Sequence, residues 1–204
     1  MEIHLPFITP IAVFDMREFL PFIRRKFVDM AGDMRQVEPD NDAFDTTLKY
    51  YDIISDIKNQ LLDDEESRAF QKAAEANAQE FCTALAYESY YKTEMVSFWI
   101  NEMKSGGVHK AHSHYGKNIS GCFYVDMPKN SSGIKFYAPK DRFDKPLIDY
   151  AQYNQINCSS WEFNPEEGQL YLWESWIKHG VPAGNFEGVR RSAAVDFILR
   201  RTEQ

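Results

Sequence analysis

The residues best suited to chemistry in this chain are histidines. His112 and His114 stand one residue apart in His109-Lys110-Ala111-His112-Ser113-His114-Tyr115, His179 follows well downstream, and the whole sequence holds only five histidines. On an extended strand, side chains two apart point to the same face, so His112 and His114 can offer two imidazoles to one ion while a later strand supplies the third. A set of three ligands on one face, with open positions for a chelating molecule and dioxygen, is how a mononuclear non-haem iron site is built. The commonest such set is His-x-Asp or His-x-Glu with a distant His. Here the carboxylate position holds His114, which leaves two readings open: three imidazoles at the metal, or His114 orienting a ligand while Glu174 or Asp196 completes the set. His109 lies three residues before His112, would face the opposite side of a continuous strand, and is read as a loop residue outside the site.

Beyond His179 comes Arg190-Arg191-Ser192, in which an extended backbone puts Arg190 and Ser192 on one face. Two parallel guanidinium N–H donors with a hydroxyl beside them satisfy both oxygens of a carboxylate, which suits the distal carboxylate of 2-oxoglutarate. Arg191 points the other way and reads as a solvated surface charge. Tyr124 and Asn118 are further candidates to touch such a cosubstrate, Asn118 having a turn role as the competing reading. Trp99, Trp173 and Trp176 are candidate pocket walls, although aromatic residues on strands are more often core.

These side chains need a framework, and the pattern supplies one in two parts. Residues Pro6 to Val13 read as a short strand. Met16 to Met30 carries Phe19, Leu20, Ile23, Phe27 and Met30 at helical spacing, with a break or restart at Pro21. After the polar stretch Gln36 to Asp45 and the segment Leu48 to Leu62, the acids Asp63 to Glu66 give the N-cap and first turn of a helix through Phe70, Ala73, Ala74, Ala78, Phe81 and Leu85. The first half is therefore expected to be largely helical. From Thr93 onward β-branched and aromatic residues dominate, with strands expected near Met95 to Asn101, Ile119 to Met127, Gly133 to Tyr137, Ser160 to Asn164, Gln169 to Trp173 and Ser192 to Leu199. Gly106-Gly107 and Pro128 to Gly133 punctuate them as turns. A mainly β chain with helices follows, one domain over residues 1–204, with a helical part at about 14–90 and an antiparallel sandwich or barrel at about 93–200.

Composition narrows the function classes. A net charge of −8 disfavours a nucleic-acid partner, which needs clustered cationic surface. Cys82, Cys122 and Cys158 are odd in number and widely spaced, which fits neither a disulfide framework nor a structural zinc site and favours a reducing compartment. The N-terminus lacks the charged and apolar blocks of a signal peptide and no run is apolar for long enough to span a bilayer, so a cytoplasmic location without membrane attachment is expected.

Several stretches together resemble the 2-oxoglutarate- and Fe(II)-dependent oxygenases of marine bacteria and phages, distantly similar to prolyl 4-hydroxylases. They are Leu5-Pro6-Phe7-Ile8-Thr9-Pro10-Ile11, Trp99-Ile100-Asn101, His112-Ser113-His114 followed by Ser120-Gly121-Cys122-Phe123-Tyr124-Val125, then Gly168 to Trp176 leading to His179-Gly180-Val181-Pro182, and Arg190-x-Ser192. The resemblance implies a double-stranded β-helix, or jelly roll, braced by N-terminal helices. It implies Fe(II) at His112 and His179, with His114 where prolyl hydroxylases carry a carboxylate, and a location in the host cytoplasm if a phage encodes the chain. It further implies that dioxygen and 2-oxoglutarate are consumed, that succinate and CO2 are released, and that a C–H bond of a small-molecule or peptidyl substrate is hydroxylated. Two positions depart from the family pattern: Glu174 replaces the Pro before Ser175-Trp176, and Asp196 replaces the Asn that ends the arginine strand. The competing readings are a three-histidine, cupin-like iron dioxygenase that uses no keto acid, and a non-catalytic jelly-roll module with a binding or structural role.

Overall fold

The alternation of the C-terminal half produces two antiparallel sheets whose inner faces meet. The computed structural model describes residues 1, 8–32, 35–36, 48–53, 64–139 and 149–202. Among them, a seven-stranded sheet contains β1 (Ala12–Asp15), β2 (Arg35–Gln36), β3 (Leu48–Ile53), β4 (Tyr91–Met103), β6 (Ile119–Asp126), β9 (Gln169–Glu174) and β11 (Arg190–Arg201), in the spatial order β1-β9-β6-β11-β4-β3-β2. A four-stranded sheet contains β5 (His109–His112), β7 (Ile134–Tyr137), β8 (Ser160–Phe163) and β10 (His179–Val181), in the order β5-β10-β7-β8.

The central strands of the large sheet are buried on both faces, and period two sorts their side chains between two cores. On β6, Ile119, Phe123 and Val125 face a core shared with the helices, while Cys122 and Tyr124 face the small sheet. Strand β9 divides likewise, with Leu170 and Leu172 on the helical side and Tyr171 and Trp173 on the other. Strand β11 sends Ala193, Val195 and Phe197 to the helical core, leaving Arg190, Ser192, Ala194 and Asp196 for the space between the sheets. Asp196 stands opposite Ser97 and Phe197 opposite Met95, so Val96 is an extra residue in β4, and there the alternation of β4 slips, Met95 and then Phe98 and Ile100 facing the helical core.

Two helices cover the outer face. Helix α1 (Leu20–Asp29) follows a 3-10 turn at Arg17–Phe19, and Pro21 sits in its first turn, where the missing N–H costs nothing. Helix α2 (Glu65–Ala84) buries Phe70, Ala74, Ala78 and Phe81, the stripe read from the sequence. Phe70 meets the rings of Phe19, Phe22, Phe98 and Phe123 at centroid distances of 5.5, 6.2, 5.5 and 5.7 Å, which ties both helices to β4 and β6.

The largely helical first half is corrected by β3. Residues Leu48–Ile53 form a strand hydrogen-bonded to β4, because Tyr50, Tyr51 and Ile53 suit a pleated surface and the free edge of β4 offers it partners. Residues 54–62 lie outside the described residues. The strand expected from Pro6 begins only at Ala12 and runs to Asp15, paired with β9; Pro6 and Phe7 also lie outside the described residues. Among the described residues all three cysteines are free, and no helix is long and apolar enough to cross a membrane.

The start of α2 carries a testable contribution. Asp64 is its N-cap, accepting from the Ser67 backbone N–H and hydroxyl at 2.8 Å each and from the buried Lys26 Nζ at 2.6 Å. Partial burial pushes its carboxyl up, but the bonds from Lys26 and Ser67 outweigh this and hold it at about 2, below the usual 3.8. A carboxylate whose pKa is lowered by folding stabilises above its unfolded value and loses that contribution as pH falls through the folded one. Asp64→Ala is expected to cost about 1–2 kcal/mol at neutral pH. Chemical denaturation at a series of pH values should show the difference shrinking from about pH 4 downward.

Candidate metal centre

Strands β5 and β10 are adjacent in the small sheet, with His179 directly opposite His112, and the chain leaving β5 carries His114 back over the large sheet. His114 is fixed there by its backbone N–H, which donates to Ser175 O at 2.9 Å. The three rings form a triangle with centroid separations of 4.5, 5.1 and 5.1 Å. One nitrogen from each can be chosen so that all three lie within 4.8 Å of one another.

Which nitrogen faces inward follows from the partners of the other. Nδ1 of His112 lies 2.7 Å from Lys110 O, Nδ1 of His179 lies 2.9 Å from Ile177 O, and Nδ1 of His114 lies 2.5 Å from the Asp196 carboxylate. Carbonyl and carboxylate oxygens only accept, so each Nδ1 carries a proton, and Nε2 is the nitrogen left to face the other rings. Nε2 of His112 and Nε2 of His114 are 3.1 Å apart. Two ring nitrogens at that distance share either a proton or a metal cation. Two ligands at right angles, each ~2.1 Å from one ion, stand about 3.0 Å apart, so this pair fits octahedral spacing on a first-row divalent metal. Burial and the neighbouring His112 lower the pKa of His179 to about 3, so its imidazole is neutral at physiological pH. The ring is enclosed by Trp173 at 4.6 Å and Phe136 at 6.0 Å.

The same cleft, between the sheets, is lined by Arg190, Ser192, Tyr124, Asn101, Trp99, Trp173 and Cys122 as well as the three histidines. Arg190 is buried, donates from Nε to Ser132 O at 3.0 Å and from Nη1 to Ser192 Oγ at 3.3 Å, and lies 5.4 Å over the Tyr124 ring. None of these partners is anionic, and among the described residues no carboxylate pairs with it. A buried guanidinium without a counter-ion is costly and is a standing demand for an anion. Burial holds Tyr124 protonated with the Cys122 thiol beside it, and among the described residues the buried Asn101 Oδ1 and Trp173 Nε1 have no hydrogen-bond partner, so polar groups are left for a polar guest.

Not every expected residue joins the cleft. Asn118, expected at the cosubstrate, is exposed; its Oδ1 accepts from Leu199 N at 2.9 Å and its backbone ties Ser175 to Phe197, which is a strand-end role. Trp176, expected as a pocket wall, is 53% exposed, because the turn that bonds Ile177 N to Glu174 O turns Ile177 inward instead. Glu174 accepts from Tyr87 Oη at 2.6 Å on the helical side, and Asp196 stands behind His114, so neither is in the histidine cluster. Arg191 is not a free surface charge but pairs with Glu102 at 2.7 Å and Asp126 at 3.2 Å.

His109, set aside as a loop residue, belongs to β5, lines the cleft and stacks on His112 at 4.4 Å. The pairing shifts between His179 opposite His112 and Val181 opposite His109, and this bulge brings residues three apart to one side. Period-two reasoning cannot foresee a bulge.

Residues 97–196 match the family model described as "Putative 2OG-Fe(II) oxygenase", a span that includes all three histidines, Arg190 and Ser192. Over that segment the chain is similar to the 2OG-Fe(II) oxygenases. A prolyl-4-hydroxylase of Pseudomonas putida superposes with a TM-score of 0.62 at 10% identity, covering 96% of this chain and 94% of that one. A prolyl hydroxylase of Trichoplax adhaerens, solved with a peptide fragment of hypoxia inducible factor, gives 0.62 at 9% identity, covering 92% and 83%. The α-ketoglutarate-dependent epimerase SnoN of nogalamycin biosynthesis gives 0.63 at 10% identity, covering 93% and 78%. These likenesses establish the double-stranded β-helix fold. No curated protein matches the chain in sequence.

Gly180 sets how closely β10 can approach β5. A Cβ there would stand 2.7 Å from His109 O and 3.0 Å from Ala111 N, both backbone atoms that can move only with the strand. Gly180→Ala is therefore expected to displace the segment carrying His112. Displacements of about 1 Å cost on the order of 10²-fold in rate, and steady-state turnover of the variant checks this.

Proposed function

We propose that His112, His114 and His179 hold Fe(II) through their Nε2 atoms, and that Arg190, Ser192 and Tyr124 take the distal carboxylate of 2-oxoglutarate in the same cleft. The observation that supports this reading is the meeting in one cleft of three imidazoles close enough to share one cation and a buried guanidinium that, among the described residues, pairs with no carboxylate. The chemistry that Fe(II) supplies when bound is activation of dioxygen against the chelated keto acid, which is oxidised to succinate and CO2 while a substrate C–H bond is hydroxylated.

The residues of the chain divide the remaining work. Lys110 O, Ile177 O and Asp196 hold the histidine rings by Nδ1, so each turns its Nε2 to the ion. Arg190 neutralises one end of the cosubstrate, the Tyr124 hydroxyl donates to it, and the aromatic wall of Trp99 and Trp173 excludes bulk water. The substrate, a small molecule or a peptide segment, enters from the open side of the cleft. A keto-acid-independent dioxygenase would leave Arg190 without a purpose, and a non-catalytic module would gain nothing from three converging imidazoles.

Anaerobically loaded protein exposed to air with 2-oxoglutarate alone should release succinate slowly, since oxygenases of this chemistry consume the keto acid uncoupled. Metal bound at the site with no succinate formed under any condition would overturn the proposal.

A further inference from the structure

Among the described residues, Asp196 is the acid placed to act on the metal centre without touching it. Its Oδ1 receives His114 Nδ1–H at 2.5 Å and Ser120 Oγ at 2.6 Å, and Ser120 in turn lies 2.8 Å from Ser175 Oγ. The Asp196 carboxylate is 4% exposed, and among the described residues no lysine or arginine pairs with it. A buried carboxylate whose partners are an imidazole N–H and a hydroxyl, with no lysine or arginine among them, gains from a positive charge close by. The geometry places that charge one imidazole away, at Nε2 of His114.

Resting on the three-histidine reading above, we propose that Asp196 is a positioning residue that replaces, through the His114 ring, the negative charge which the common two-histidine, one-carboxylate set places directly on the iron. A cation at Nε2 draws electron density from the ring and strengthens the Nδ1–H bond to Asp196; the carboxylate in turn raises the donor strength of Nε2. The ligand set is neutral, yet the site as a whole keeps one negative charge. Ser120 and Ser175 hold the carboxylate in line with the ring.

The test is anaerobic titration of the full chain with Fe(II), and with Co(II) as a second probe, read by quenching of the fluorescence of Trp173 and Trp99, whose rings lie 4.6 Å from His179 and 5.7 Å from His114. Asp196→Asn keeps the shape and an acceptor oxygen but removes the charge, and is expected to weaken metal binding about 10- to 100-fold. In a His114→Asp background, where a carboxylate returns to the metal, the same Asp196→Asn change is expected to cost nothing or to tighten binding, because two facing carboxylates are relieved. Ser120→Ala retains the charge and is expected to stay within about threefold of wild type. An equal loss from Asp196→Asn in both backgrounds, or a loss in Ser120→Ala matching that in Asp196→Asn, would reduce Asp196 to a packing role and overturn the proposal. Absence of quenching in the wild type would instead remove the three-histidine reading itself, and this proposal with it.

Discussion

Replacing His179 by alanine is expected to abolish metal-dependent turnover while leaving the fold in place. His179 is the most buried of the three histidines, and it is the member that β10 brings across to β5. Removing a residue that merely orients a ligand costs about 10- to 100-fold in metal affinity, so removing a ligand outright should exceed the upper end of that range. The apo-protein should suffer much less. The variant loses one hydrogen bond to Ile177 O, worth about 1–3 kcal/mol when a buried acceptor is left unmet. The contrast is measurable by thermal denaturation. An ion present at ~100 times its Kd stabilises by about 2.7 kcal/mol, or about 5–10 °C for a chain of this size. Wild-type protein should show that rise with Fe(II) under anaerobic conditions, and His179→Ala should not.

Replacing Arg190 by methionine should act on the cosubstrate and not on the metal. The guanidinium is buried, lies over Tyr124 and, among the described residues, reaches only neutral oxygens, so a bound carboxylate would gain an almost fully desolvated partner. Truncating one member of a buried charged pair costs about 2–5 kcal/mol, which corresponds to a rise of about 30- to 5000-fold in the 2-oxoglutarate concentration needed for half-maximal turnover. Fe(II) affinity should remain within a few-fold of wild type. Arg190→Lys should recover only part of the loss, because an ammonium cannot reproduce the two parallel donors of the fork.

How much of this was legible in the chain depends on what each residue answers to. The sorting of β6, β9 and β11 between two cores follows from period two, so the face shared by Arg190 and Ser192, and the burial of Tyr124 and Trp173 toward the cleft, could be read in advance. Helix α2 declared itself through Asp64 and the Phe70-Ala74-Ala78-Phe81 stripe. What failed was governed by long-range geometry. The bulge in β5 that turns His109 toward His112 has no local signature, and β3 owes its extended form to the edge of β4, distant in sequence. Asn118 and Trp176 were misread because strand ends turn: a residue one or two steps beyond the ladder no longer obeys its alternation, so Asn118 spends its side chain on Leu199 and Trp176 points to solvent. The contact between Asp196 and His114 joins positions 82 apart in sequence, and only the fold discloses it.

The central claim, that three histidines and an arginine form one iron and keto-acid site, is met most directly by anaerobic titration of the apo-protein with Fe(II) and then 2-oxoglutarate, watching for the weak visible charge-transfer band of a keto acid chelated to ferrous iron. The band should appear only when both are present, vanish in His179→Ala, and require far more keto acid in Arg190→Met. Iron that binds the wild type without ever producing the band on addition of 2-oxoglutarate would contradict the account.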